Sequence, residues 1–264
     1  MTAKAKHLDL WQVSKTYQSA QGPVEAVSDV TLSIEEGDFV SILGPSGCGK
    51  STLMMMLAGL ESITDGVVVE HGRQVTGPRE DVGLIFQDAT LLPWLSVLDN
   101  VLFPVKILKK PRNEYLRRAH DLLAMVGLSK FENHRPSQLS GGMRQRVSIC
   151  RALILDPPLL MMDEPFSALD AITRDEMNLA LLDIWQRNPK TGVFITHSIR
   201  EAVLLSDRVL VMGGRPSKVV CDIKIPFGRP RPDDIAESPA FNKLCGELKQ
   251  YIQSGHKRTE DVST

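Results

Sequence analysis

Val30-Thr31-Leu32-Ser33-Ile34 alternates apolar and polar positions, which predicts a half-buried strand, and Glu36-Gly37-Asp38 predicts the turn that ends it. Phe39-Val40-Ser41-Ile42-Leu43 follows as a short apolar run with β-branched members, the pattern of a buried strand. Thr52 to Ala58 is rich in helix formers, and Val67-Val68-Val69 makes another short strand before a turn at Gly72-Arg73. Between 113 and 126 the period lengthens: Tyr115, Leu116, Ala119, Leu122, Leu123 and Val126 share one helical stripe, stopped by Gly127. A second helix is expected from about 142 to 155, ended by Asp156-Pro157-Pro158. Leu159-Leu160-Met161-Met162 and Val193-Phe194-Ile195-Thr196 are further buried strands, separated by a helical stretch over 174–187. Strands alternating with helices imply an α/β fold with a mostly parallel sheet. The helical middle, about 88–152, reads as an insertion into a main domain spanning 1–225. After Pro226 the chain turns to Arg229-Pro230-Arg231-Pro232-Asp233-Asp234, then becomes weakly helical to Tyr251. Residues 226–264 therefore read as a solvated, structural extension, partly disordered at its end.

Composition narrows the function classes. With 264 residues the chain can bury one large α/β core or two small ones. A net charge of −1 argues against a nucleic-acid binder held by a broad basic surface. No apolar run approaches the ~20 residues that span a bilayer, and Met1-Thr2-Ala3-Lys4-Ala5-Lys6 lacks the apolar core of a signal peptide. The expected compartment is the cytosol. Cys48, Cys150, Cys221 and Cys245 show neither metal-ligand spacing nor a disulfide framework.

The chemistry begins where the first buried strand ends. Gly44-Pro45-Ser46-Gly47-Cys48-Gly49-Lys50-Ser51-Thr52 stands between a strand and a helix, the context that a phosphate-binding loop requires. Glycines let consecutive backbone N–H groups turn inward around phosphate oxygens, and the helix N-terminus adds its partial positive charge. Lys50 is expected at the β- and γ-phosphates, and the Ser51 hydroxyl on Mg2+. Asp163 and Glu164 close the apolar run Leu159–Met162, at the C-terminal end of a strand, where ligands bind in open α/β sheets. Asp163 suits Mg2+ coordination, and Glu164 suits polarising a water that attacks the γ-phosphate. His197 follows the next apolar strand and is expected beside the same phosphate. At Cys48 the loop requires only a small residue, with a reactive thiol as the alternative reading.

Taken with Gln87, Leu139-Ser140-Gly141-Gly142-Met143 and Ser167-Ala168-Leu169-Asp170, these segments stand in an order that resembles the ATPases of ABC transporters, over roughly residues 8–225. They are similar to the Walker A, Q-loop, signature, Walker B, D-loop and H-loop motifs of that family. Met143 departs from the family, which often has Gln there. The resemblance implies a P-loop NTPase (RecA-like) core with a mostly parallel sheet, an antiparallel β subdomain and an inserted helical subdomain. It implies that Tyr17 stacks on adenine and that Gln87 touches Mg2+ or the attacking water. It also implies that Ser140, Gly141, Gly142 and Asp170 reach ATP held by a second copy of the chain, so that ATP glues a homodimer.

Having one cassette and no membrane span, the chain is expected at the cytoplasmic face of the cell membrane, bound to integral-membrane permease subunits. An extracytoplasmic solute-binding protein would act on it indirectly, and no nucleic acid is implicated. The docking surface is expected at Leu91-Leu92-Pro93-Trp94-Leu95, with Leu92, Trp94 and Leu95 facing a partner helix. That segment and the Arg/Pro tail with Ser238-Pro239 resemble importers of nitrate, aliphatic sulfonates, taurine and bicarbonate. Importers of pyrimidine vitamin precursors or aromatic acids, and a permease-independent regulatory or assembly ATPase, are the alternatives.

Overall fold

The computed structural model describes residues 5–167, 169–187, 190–232 and 234–260. The chain divides into two units, one formed by residues 1–80 with 189–264, the other by 81–188.

In the first unit, β1 (Lys6–Ser19) and β2 (Gly22–Glu35) form a long antiparallel ribbon, and Gly37 turns the chain at a φ of 77° into β3 (Phe39–Leu43). All of β3 is buried, as a central parallel strand covered on both faces must be. Helix α1 (Lys50–Leu57) follows, then β4 (Asp65–Glu70) and the short β5 (Arg73–Gln74). These complete an antiparallel sheet ordered β2-β1-β4-β5.

The second unit opens with β6 (Val82–Ile85) and continues through α2 (Val97–Val101), α3 (Phe103–Ile107) and α4 (Arg112–Met125). Helix α4 buries Ala119, Leu122 and Leu123, the stripe expected from its period. Helix α5 (Gly141–Leu153) leads to β7 (Leu159–Asp163), which pairs in parallel with β6, and α6 (Ala171–Arg187) ends the unit.

Back in the first unit, β8 (Thr191–Thr196) is buried throughout and lies parallel to β3. After α7 (Ile199–Leu205), β9 (Arg208–Gly213) pairs with the other side of β3. β10 (Lys218–Lys224) adds an antiparallel edge whose exposed positions include Lys218, Asp222 and Lys224. Charges on an edge strand discourage pairing with another chain.

The tail differs from the solvated extension expected of it. Helix α8 (Pro239–Glu260) buries Phe241, Leu244 and Leu248 against Leu43, Val203, Val209 and Val211. Arg231 is 5% exposed, and its guanidinium donates to the carbonyls of Val203, Leu204 and Ser206, which lie at the end of α7. Arg229 adds Leu205 O and the Asp207 carboxylate. Two arginines thus satisfy carbonyls that a helix C-terminus leaves without partners. Burial, with Arg229 alongside, pushes the Arg231 guanidinium down to about 10. The end of the expected disorder, residues 261–264, lies outside the described residues.

Candidate active site

The phosphate loop starts at the end of β3 and finishes in the first turn of α1. Its shape needs glycine at two points. A side chain on Gly44 would stand 2.5 Å from Met212 O, and one on Gly49, whose φ is 94°, would stand 2.9 Å from Ala26 O. Lys50 is 5% exposed, and its Nζ donates to Gly44 O and Pro45 O, each at 3.0 Å. Among the described residues this ammonium has no carboxylate partner. A buried cation facing only carbonyl dipoles fits a site that takes an anion. Ser51 is exposed on the first turn of α1, Ser46 and Gly47 are exposed, and Cys48 is a buried free thiol lying against Gly44.

Elsewhere in this unit, Tyr17 is 37% exposed on β1, with the Lys15 ammonium 4.8 Å from its ring centroid. Lys15 is in turn held by Glu61 at 2.6 Å and Ser62 O at 2.7 Å, which fixes the ring's neighbour. Chiefly through that bond from Lys15, the Glu61 carboxyl is held below the usual range. His197 is exposed directly after β8. Its flanks are braced: Thr196 Oγ1 donates to Glu201 at 2.5 Å and accepts from Ser198 N at 3.0 Å, while Ser198 caps α7.

In the second unit Gln87 is exposed just past β6, and α5 holds the backbone on both sides of it. Gln145, 2% exposed, donates to Phe86 O at 3.0 Å, and Arg151 donates to Ala89 O and Thr90 O at 2.9 Å each. Asp163 is the last residue of β7. Glu164 has a φ of 43°, a left-handed conformation unusual outside glycine, and Ser167 donates to its carbonyl at 2.9 Å. Ser140 caps α5 by accepting from Met143 N. Asp170 accepts from Thr173 N at 3.0 Å at the start of α6, a bond that lowers its carboxyl from the ordinary value. Ser140, Gly142, Met143, Leu169, Asp170 and Thr173 line one concavity of about 350 Å³. The two segments expected to act in trans are therefore brought together in the fold. Ala168 lies outside the described residues.

Residues 27–167 match the protein family described as ABC transporter. The chain belongs to that family. Among its relatives, the taurine import ATP-binding protein TauB of Burkholderia thailandensis is 46% identical over 95% of this chain and 97% of its own length. The bicarbonate transport ATP-binding protein CmpD of Synechocystis is 45% identical over 93% of this chain and 88% of its own length. Among solved structures, a dimeric ATP-binding cassette in a post-hydrolysis state with ADP and Pi superposes with a TM-score of 0.75. It is 34% identical, covering 84% of this chain and 100% of that one. This cassette is accordingly an ATP-binding, ATP-hydrolysing member of the family, with the P-loop fold expected from its motifs.

Several residues that organise the cassette's site were not singled out from the sequence. Asn100, fully buried, accepts from Leu92 N at 2.8 Å and donates to Leu92 O and Ser96 O at 3.1 and 2.9 Å. The segment that it moulds leaves Trp94 67% exposed and Leu92 and Leu95 half-buried. Gln145, Arg151 and Thr173 were equally silent, because a polar residue inside an amphipathic helix carries no sign of which carbonyl it will meet. Burial pushes the Cys150 thiol up to about 12, away from the reactive thiolate form.

Proposed function

We propose that this cassette is the ATP-hydrolysing subunit of an importer of a small anion: nitrate, an aliphatic sulfonate, taurine or bicarbonate. The observation that carries the catalytic half is Lys50, a buried ammonium in a glycine loop with no acid partner among the described residues. The importer half is supported by the taurine and bicarbonate import relatives, which align over nearly the whole chain.

In this reading Tyr17 stacks on adenine, while the backbone N–H groups from Gly44 to Thr52 and the Lys50 ammonium take the phosphates. Ser51, Asp163 and Gln87 would hold Mg2+, which would supply positive charge to the phosphate oxygens. Glu164 accepts the proton of the attacking water, and His197 hydrogen-bonds beside the γ-phosphate. Ser140, Gly141 and Gly142, at the N-terminus of α5, and Asp170 meet ATP bound by a second copy, so closure depends on the triphosphate. No helix among the described residues is long and apolar enough to cross a membrane. Attachment at the cytoplasmic face would then run through permease subunits docked at Leu92, Trp94 and Leu95, with a solute-binding protein beyond them.

Glu164→Gln tests the chemistry. It should bind ATP and dimerise by light scattering while turnover falls about a hundredfold or more. Near-normal turnover removes Glu164 from the role of base. The transport half is tested by reconstitution with the permease in liposomes. Binding protein loaded with one of the four anions should stimulate hydrolysis, and Trp94→Ala should abolish the stimulation. Silence with all four anions overturns the solute class.

A further inference from the structure

Between β9 and β10 the chain turns through Gly214, at a φ of 89°, and this turn runs alongside the phosphate loop. Three contacts fix the register. Met212 O lies 2.5 Å from where a Gly44 Cβ would stand. Ser217, 1% exposed, donates from its N–H to Ala26 O at 3.2 Å and accepts from Ser28 N at 2.9 Å. Ala26 O in turn lies 2.9 Å from where a Gly49 Cβ would stand. The turn is thus fastened near both ends of the loop. Between those fastenings Arg215 reaches over its middle: a methyl on Gly47 would lie 3.6 Å from an Arg215 guanidinium nitrogen.

We infer that Arg215 is a second cationic anchor for the nucleotide's phosphates, acting beside Lys50. Arg215 is exposed, and among the described residues it has no ion pair or hydrogen bond. Its guanidinium offers five N–H donors in a fixed fork that matches phosphate oxygens two at a time. Lys50 approaches from within the loop as a point charge, its ammonium held by loop carbonyls. Arg215 approaches from outside, over Gly47, where no side chain intervenes. The two cations have separate duties: Lys50 neutralises charge inside the loop, and Arg215 adds affinity and orientation from its flank. Because the turn's backbone is fastened at both ends, the ordering cost when Arg215 engages falls on its side-chain rotamers.

This assignment rests on the phosphate-loop reading, so the experiment carries a control for each. Binding of fluorescent ATP and ADP analogues is titrated for the wild-type chain, R215A, R215K and K50A, at low and at high salt. R215A should weaken ATP about tenfold or more, the effect of losing a charge-assisted hydrogen bond, and ADP less. R215K should recover part of the loss, and the gap between wild type and R215A should shrink as salt screens the charge. An unchanged thermal midpoint in R215A confirms that the loop is intact. Affinity within twofold of wild type for both nucleotides, or a loss that salt does not touch, overturns the assignment while K50A remains the non-binder. If K50A itself binds ATP as wild type does, the phosphate-loop reading falls instead.

Discussion

Glu164 and His197 each follow a buried strand, and a hydroxyl side chain braces the backbone at or beside each. A left-handed backbone at a glutamate costs about 1–3 kcal/mol, so the bond from Ser167 to its carbonyl is part of what keeps the carboxylate aimed. At His197 the brace is Thr196, whose hydroxyl links Glu201 to Ser198 N. Thr196→Val keeps the shape and removes both bonds. Steady-state kinetics should show kcat down about tenfold, the scale of one buried hydrogen bond, with ATP affinity within twofold. A kcat equal to wild type would mean that the histidine needs no such support. The positions of Glu164 and His197 were legible in the sequence because an apolar run ends at each. The braces were not, since a threonine before a histidine looks the same whether or not a glutamate folds back onto it. The positive φ at Glu164 leaves no mark in residue type at all.

At the scale of elements, α5 joins several parts of the site. It begins at Ser140, on the concavity shared with Asp170, and its side chains Gln145 and Arg151 hold the carbonyls on either side of Gln87. A shift of this helix must move the segment after β6 with it, which makes α5 the physical link between Ser140 and Gln87. Gln145→Leu conserves volume and orphans Phe86 O. Basal hydrolysis should fall about threefold, and the ratio of permease-stimulated to basal rate should fall further, because the link and not the chemistry has been cut. An unchanged ratio would show that coupling bypasses Gln145. The sequence marked α5 within a residue or two of its bounds, since thirteen residues give its period room to show. It gave no comparable sign of α2 and α3, which are five residues each and separated by a single position, too short for a stripe to repeat.

For the whole molecule, the sequence favoured a tail set apart from the core, because Pro, Arg and Asp in succession usually mean solvent. Burial of Arg231 is not readable from composition: it depends on α7 ending where three carbonyls can be taken at once. Phe241 and Leu248 are fully buried within the core that contains β3 and β9. Phe241→Ala should therefore destabilise the protein by about 3–5 kcal/mol and lower its thermal midpoint by roughly 10 °C. A shift of a degree or two would restore the view of a separable tail. Helix α7 is only seven residues long, with Ser198 at one end and the carbonyls taken by Arg229 and Arg231 at the other. The histidine loop and the tail are thus opposite ends of one short rod. Anyone grafting this tail onto a sister cassette would have to move α7 along with it, or inherit a histidine set at the wrong angle.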